Sequence, residues 1–365
     1  MRPLRIAYVI NSTEGGGAAL PVPSVTRVLR SGGAQVRVFA LTRRNGRALP
    51  VMEAAGLEPA VRDGGERDHI AALRWLGLAL RTWRATHMVT SLSRATVLGL
   101  LLGPAMRLPV VAWQHNAYLK PVNLWLLRAL QSRARFWVAD STSVAELTRA
   151  RLGVDDKRLL TWPLFAADPK QPQAVRWQPG QTLQLGSLGR LHAAKGYDLL
   201  IAALGRLHRD GFVFTTPYRL TIAGEGDDRE HLLKLAAQAQ VPLQLPGFTN
   251  DPQRFLSGLH LYLQPSRREG FCIAAHEAMS AGLPILASAV GELAHSIVQD
   301  KTGLLTTAGD VDALASQLAA LLADPGRLSE MGQAACVRVN HLFAPARFDA
   351  AGRELLARLA EGDVV

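Results

Sequence analysis

The sequence predicts an α/β protein made of two doubly wound, Rossmann-like halves. Three observations predict it. Short apolar runs of strand length alternate with longer amphipathic stretches of helical period, the rhythm of a parallel sheet covered by helices. That rhythm stops in RLLTWPLFAADPKQPQAVRWQPGQ, rich in Pro and Gln, and restarts in TLQLGSLGRL. A chain of 365 residues is long enough for two domains, and 48% apolar residues can fill two cores. The boundaries read as a first domain over 1–165, a linker over 166–181, a second domain over 182–344 and a last amphipathic helix over 345–365.

In the first half, LRIAYVI is a buried strand and NSTEGGGAALP a Gly-rich loop containing Gly16 and Gly17. Such a loop after a first strand either cradles a phosphate or sugar or is a turn alone. It lacks the G-x-G-x-x-G pattern, and no P-loop Lys accompanies it. A helix is expected near residues 24–31, ended by Gly32 and Gly33, with AQVRVFAL as the second strand. HMVTSL, LPVVAWQH and ARFWVADS are further strands, each followed by a helical pattern. Residues 69–84 put Leu73, Leu76, Leu80 and Trp83 on one stripe and Arg74, Arg81 and Arg84 outside it. The Trp and Arg content there also fits an interfacial membrane contact. Residues 117–137 are similar, with Tyr118, Lys120, Trp125, Arg128, Arg133 and Arg135. His115 closes VVAWQH at the carboxyl end of a strand, where open α/β sheets bind ligands. Ser141 or Thr142 is placed to cap the next helix.

In the second half, TLQLGSLGRLHAAKGYDLLIAAL runs from a strand through Gly189 and Arg190 to Lys195, at the start of a helix. Two cations beside free helix N–H groups are what a diphosphate needs when no metal neutralises it. YRLTIAGEGDDREHLLKLA is a strand, a turn holding Gly224 and Gly226, and a helix. VPLQLPGFTND is a short strand and a loop with Phe248 and Thr249. LHLYLQPSR is a buried strand, and after it comes REGFCIAAHEAMSAGLPILAS: a turn, a helix over about 272–280 and another strand. Here Glu269 and Glu277 stand eight positions apart, with Gly270, Phe271 and Cys272 between them. Gly270 lets backbone approach a ligand closely, and the helix N-terminus points donors at the same spot. Paired acids alone leave acid/base chemistry, metal ligation and hydroxyl binding open. Asp310-Val311-Asp312 is formally a D-x-D metal–diphosphate pattern, but it opens a helix, where acidic residues suit the N-terminus.

Charge is uneven. Residues 1–170 hold 24 Lys+Arg against 11 Asp+Glu, a net +13; residues 171–365 hold 17 against 19, a net −2. A basic half points to an anionic partner, though Arg outnumbers Lys 35 to 6, as biased coding would also produce. Cys272 and Cys336 cannot form a disulfide framework and fit a reducing compartment. The start MRPLRIAYVI lacks a signal-peptide shape. The apolar stretch ATVLGLLLGPAMRLPVVAW is broken by Pro104, Arg107 and Pro109 and is not read as a span.

The motifs E-G-F…E-A-M-x-x-G-x-P and G-R-L-x-x-x-K-G, with their flanking strands, resemble the retaining nucleotide-sugar glycosyltransferases of family four (glycosyl transferases group 1). The resemblance implies a GT-B architecture, two Rossmann-like domains facing across a cleft. It implies that Arg190 and Lys195 bind the donor diphosphate and that Glu269, Glu277 and the backbone over 270–272 hold the donor. It sets Gly189, Gly224 and Gly226 in nucleotide-side loops, with Phe248 and Thr249 by the base. His115 then lies against the donor sugar, and Gly16 and Gly17 face donor and acceptor; Ala18, Ala19, Pro21 and Pro23 depart from the usual pattern of that loop. The implied activity is transfer of a hexose from a UDP- or GDP-sugar to a saccharide or polyprenyl-diphosphate-linked acceptor, in bacterial surface polysaccharide or lipopolysaccharide synthesis. No metal, no other cofactor and no nucleic acid enter this expectation. The enzyme is expected in the cytoplasm, with a peripheral contact to the anionic inner membrane face. Alternatives are a sugar-nucleotide epimerase, a phosphorylase, or a nucleotide-binding scaffold without catalysis. A dinucleotide oxidoreductase is excluded for want of G-x-G-x-x-G.

Overall fold

The computed structural model describes residues 4–116 and 118–361. The first seven strands are β1 (Arg5–Ile10), β2 (Gln35–Ala40), β3 (Ala60–Val61), β4 (His87–Ser91), β5 (Val110–Gln114), β6 (Phe136–Ala139) and β7 (Leu159–Thr161). They form one sheet in the order β3-β2-β1-β4-β5-β6-β7, every pair parallel. Ile6 to Ile10 are all wholly buried, which is why β1 reads as a continuous apolar run. The second sheet holds β8 (Leu183–Leu188), β9 (Tyr218–Ala223), β10 (Leu243–Gly247), β11 (Leu261–Gln264), β12 (Ile285–Ser288) and β13 (Gly303–Thr306). Its order is β10-β9-β8-β11-β12-β13, again all parallel. In each sheet the strand order reverses beside its first strand, next to β1 and next to β8. Open α/β sheets carry ligands at the carboxyl ends of the strands around such a point.

The chain divides into two compact units. One is made of the described residues of Met1–Phe165 and Ala346–Val365, the other of Ala166–Pro345. The first core lies between its sheet and the helices His69–Trp83, Ser93–Met106 and Pro121–Leu130. The second core is Leu-rich and includes Leu185, Leu204, Leu220, Leu263 and Leu318.

Several element bounds differ from expectation for local reasons. The first helix is Val22–Ser31, beginning before residue 24, because Pro23 fits a first turn whose N–H groups lack intrahelical partners. The helix His69–Trp83 ends where Arg84 turns left-handed. Its buried stripe is Ala72, Leu76 and Leu80, while Leu73 and Trp83 are half-buried. Trp83 lies under the Arg5 guanidinium, 4.7 Å from its ring centre. Over 117–137 the helix is only Pro121–Leu130, followed by a 3₁₀ turn and β6. Ser141 caps Thr142–Leu152 by accepting from Val144 N–H at 3.1 Å.

The last helix, Pro345–Glu361, closes the first unit. Phe348 packs on Trp162 at 5.5 Å between ring centres, and Asp349 pairs with Arg27. Gly352 sits inside this helix, where glycine costs about 1 kcal/mol relative to alanine. A Cβ there would lie 2.5 Å from Val28 and 2.6 Å from the Trp162 ring. Close helix approach therefore outweighs propensity. Gly352→Val should lose about 1–3 kcal/mol of stability, read as a lowered Tm; an unchanged Tm would show that the helix is not held against Trp162.

Candidate active site

In the second unit the site is built at the carboxyl ends of β8, β9 and β11. Beyond β8 the chain is stitched to the loop after β9: Gly189 N–H donates to Ala223 O and Leu191 N–H to Glu225 O. Gly224 and Gly226 have φ of +152° and +158°, and a Cβ on either would strike the carbonyl of Gly189 or Leu191 at 1.9–2.0 Å. What these two glycines do in this structure is let the loops interlock. Phe248 follows Gly247, whose carbonyl accepts from Gly224 N–H at 2.7 Å, and it is exposed.

Lys195 ends a 3₁₀ turn, Ala193–Lys195, which His192 caps by accepting from Ala194 N–H. Gly196 follows with φ +69°, pressed so close to Pro265 O that a Cβ would lie 2.0 Å from it. The helix Tyr197–Arg209 starts there. Arg190 is exposed in the same loop.

The Lys195 Nζ lies 2.8 Å from Glu269 Oε1. That oxygen also accepts from Ser266 Oγ at 2.6 Å and from Gln264 Nε2 at 3.2 Å. Gln264 donates to Ser266 Oγ as well, at 2.8 Å. Tyr262 stands behind them, its hydroxyl accepting Leu188 N–H and lying 3.0 Å from Gln264 Oε1. Tyr262 and Gln264 alternate along β11 and so share a face, Ser266 follows two residues past its end, and all three are wholly buried. Burial pulls the Lys195 ammonium down, but the charges of Glu269, Cys272 and Tyr197 and the Glu269 hydrogen bond together outweigh it and lift its pKa above the ordinary value. Glu269 Oε2 takes no hydrogen bond among the described residues.

Cys272 precedes the helix Ile273–Ser280 in the left-handed region, φ +67°, a strained conformation for a residue with a Cβ. His276 steadies it: Nδ1–H donates to Cys272 O at 2.9 Å, and Nε2 accepts from Ser296 Oγ at 2.8 Å. Burial lowers the His276 pKa to about 4, so the ring is neutral. Burial pushes the Cys272 thiol up to about 12, with Glu269 adding to the shift and Lys195 opposing it. The Phe271 ring turns inward, stacked on His276 at 4.2 Å and edge-on to Phe343 at 5.0 Å, so toward a ligand this residue offers only backbone. Gly270 is buried, and its carbonyl accepts from Glu292 N–H. Glu277 is half-buried on the same helix, its carboxylate without a hydrogen-bond partner among the described residues, and burial raises its pKa.

In the first unit, β4 ends in Ser91, and β5 and β6 are followed directly by His115 and Asp140. His115 Nε2 is 2.7 Å from Ser91 Oγ, and its ring stacks on Trp113. Nδ1 faces Asp140 Oδ2 at 3.4 Å, close enough for charge interaction and too long for a good hydrogen bond. Asp140 is buried, which raises its pKa while His115 opposes the shift. The Gly-rich loop is held from below. Gly15 N–H donates to Asn45 Oδ1, and the Gly16 carbonyl accepts from Ala19 and Leu20 N–H. Open space surrounds the Gly16 Cα, and Gly17 is exposed.

Asp310 caps Val311–Ala323 by accepting from Ala313 N–H at 2.9 Å, and Asp312 pairs with Arg206, so both carboxylates have structural work. Among the described residues no group of His, Cys, Asp and Glu is arranged to hold a metal. Sequence reasoning did not find Gln264, Ser266, Ser91 or Asp140. The one available signal was polar residues closing strands that are otherwise apolar.

Comparisons with known proteins agree with this arrangement. The family described as "Glycosyl transferases group 1" matches residues 171–337, and "Glycosyltransferase Family 4" matches 15–165. The chain is 34% identical to the glycogen synthase of Mycobacterium tuberculosis over 55% of its length and 45% of that protein's. It is 32% identical to the D-inositol 3-phosphate glycosyltransferase of Pseudarthrobacter chlorophenolicus over 59% and 53%. The chain thus spans about half the length of these two relatives. It is 29% identical to the lipopolysaccharide core biosynthesis mannosyltransferase LpcC of Rhizobium leguminosarum, over 84% of this chain and 90% of that protein. Among solved structures, Anabaena HepE in complex with UDP-glucose superposes with a TM-score of 0.84 at 17% identity, covering 97% of this chain and 99% of that one. Sucrose-phosphate synthase of Thermosynechococcus elongatus gives 0.80 at 17% identity, covering 98% and 100%. These structures share the GT-B fold of two Rossmann-like domains.

Two outcomes test the geometry. Because burial sets the Glu277 pKa above its unfolded value, the folded chain holds this proton more tightly. Its stabilising contribution is complete below the ordinary carboxylate range and is lost as pH rises through the folded value. Glu277→Gln should therefore melt at or above the wild type at neutral pH without ligand, the gap closing toward about pH 4; a lower Tm throughout would contradict this. Ser266→Ala removes a bond to a charged carboxylate and should lower turnover about tenfold or more with Tm nearly kept, and Ser266→Thr should restore it. With the two strands' motifs, the folds of both units and both family matches in agreement, this chain belongs to the family 4 glycosyltransferases (glycosyl transferases group 1).

Proposed function

We propose that this chain is a retaining glycosyltransferase that moves a hexose from a nucleoside-diphosphate sugar to a saccharide or lipid-linked saccharide in bacterial surface polysaccharide or lipopolysaccharide synthesis. The observation that carries the reading is Lys195 held against Glu269 at the carboxyl edge of the second sheet, beside exposed Arg190 and the unpartnered carboxylate of Glu277. A UDP- or GDP-sugar donor is supported from two sides. HepE was solved with UDP-glucose, and a relative from Mycolicibacterium smegmatis, 31% identical over 56% of this chain, is GDP-mannose-dependent.

In this reading Glu277 accepts hydrogen bonds from the ribose. Glu269, through Oε2, and the backbone over 270–272 hold hexose hydroxyls. Arg190 and Lys195, beside the N-terminus of Tyr197–Arg209, stabilise the charge that develops on the leaving diphosphate. These cations supply what a metal supplies elsewhere, so the chemistry is metal-independent. The acceptor hydroxyl attacks from the face the diphosphate leaves, and the leaving phosphate takes its proton. His115 orients and stabilises charge. The basic first half favours an anionic, polyprenyl-diphosphate-linked acceptor at the inner membrane face. An inactive scaffold would have no use for a Glu269 held by three donors.

Thermal stabilisation by UDP, GDP, ADP and CMP in EDTA tests this. A nucleotide at about a hundred times its Kd adds about 2.7 kcal/mol. One nucleoside diphosphate should stabilise the wild type, and Lys195→Ala should lose that shift when each variant is measured against its own unliganded Tm, which falls because Glu269 is left without its cation. Stabilisation by none of them, or full stabilisation of Lys195→Ala, overturns the reading. An inverted anomeric centre in the product overturns retention.

A further inference from the structure

No Asp or Glu occurs over residues 69–139, a run of 71 residues that carries nine Lys and Arg. That run builds three neighbouring helices over the first core: His69–Trp83, Ser93–Met106 and Pro121–Leu130. Their inner sides are packed, yet their outer sides remain apolar and cationic. On the first helix Ile70, Arg74, Leu78 and Arg81 form one exposed stripe, with Ile70 and Leu78 at 70% and 68% exposure. On the third, Val122 and Trp125 are 68% and 69% exposed, in line with Arg128. The middle helix exposes Leu101, Pro104 and Ala105 and no charge along its outer side. Seven large cation-and-apolar positions on two helices thus flank an uncharged ridge.

We infer that this three-helix face docks the protein on an anionic lipid bilayer. A protein partner is ordinarily met with charges of both signs and fixed polar groups at a rim. This face offers one sign only, over apolar side chains, which fits a surface that is uniformly anionic and apolar just beneath. Trp125 is the side chain best suited to the boundary layer, and Arg74 and Arg128 can keep their charges at the headgroups while their stems lie along it. The contact is interfacial, since no helix among the described residues is long and apolar enough to cross a membrane. Pro121–Leu130 begins six residues after His115, so docking sets the ligand-bearing edge of the first sheet near the headgroups. The inference deepens the proposed function, resting on its lipid-linked acceptor.

The test is co-sedimentation of the whole protein with sucrose-loaded vesicles, either pure phosphatidylcholine or containing about a third phosphatidylglycerol. The protein should sediment with the anionic vesicles only, and salt should release it. Val122→Ser with Trp125→Ser, and separately Arg74→Glu with Arg128→Glu, should each lower partitioning about tenfold or more with Tm and the nucleotide-induced shift unchanged. Equal binding to neutral vesicles, variants that bind as the wild type does, or no vesicle binding at low salt overturns the inference, the last pointing to a protein partner. The two readings fail separately: vesicle binding without a nucleotide shift removes the glycosyltransferase reading, and a nucleotide shift without vesicle binding removes the docking face.

Discussion

The second unit's candidate site is organised around one ion pair, Lys195 with Glu269. Both side chains are largely withdrawn from water, at 23% and 10% exposure. Taking two charges out of water costs several kcal/mol unless the remaining hydrogen-bonding capacity is met. Here the carboxylate's Oε1 is met three times, by Lys195, Ser266 and Gln264. The same oxygen that holds the lysine is thus locked from behind, which leaves Oε2 as the carboxylate's free edge. The pair also sets a condition on any anionic ligand: it must share Lys195 with Glu269, whose own position cannot relax to release it. A site arranged this way gives up some ground-state attraction and keeps its cation fixed for the moment when charge develops, where fixed charges count most.

The fold delivers that pair through backbone contacts that tolerate no side chain. Gly196 presses on Pro265 O, so the Lys195 turn meets the end of β11 directly. Arg267 reinforces the junction, donating from its backbone N–H to Ala194 O and pairing through its guanidinium with Asp198 on the helix that begins beyond Gly196. Gly224 and Gly226 fix the β8 and β9 loops against each other in the same manner. The Cys272 conformation, steadied by neutral His276, completes the frame. Strand order brings β8, β9 and β11 side by side, and these contacts convert that adjacency into a site.

What the sequence made legible was local. E-x7-E and G-R-L-x-x-x-K-G lie within single strand–loop–helix passages, so their spacing alone places Arg190 and Glu269 in loops after strands, Lys195 at a helix start and Glu277 on a helix. The alternation of strands and helices likewise needs only neighbours in the chain. Gln264 and Ser266 were hidden because LHLYLQPSR reads as an apolar strand, and their purpose appears only when Lys195, some seventy positions away, is brought to the same carboxylate. Ser91 and Asp140 were hidden for the same reason, since they and His115 come together from the ends of three different strands. For Phe271 the motif marks the position, and packing against His276 and Phe343 decides that its ring faces the core. Helix ends shifted where a single residue, Pro23 or Arg84, sets the backbone.

The surroundings of His115 bear on where a proton can go. If the Nδ1 proton points toward Asp140, the lone pair of Nε2 takes the Ser91 hydroxyl and none is left free. A histidine so placed cannot receive a proton from an acceptor hydroxyl without first breaking a buried contact. Removing the Ser91 bond would also strand a hydroxyl that has no exposure to water. The residue is therefore better suited to orient and to stabilise charge than to act as a base. The buried Asp140 carboxylate, whose pKa burial raises, faces the same ring at 3.4 Å. Under the proposed function the proton of the acceptor hydroxyl would then pass to the leaving phosphate, the group that gains basicity as the glycosidic bond breaks.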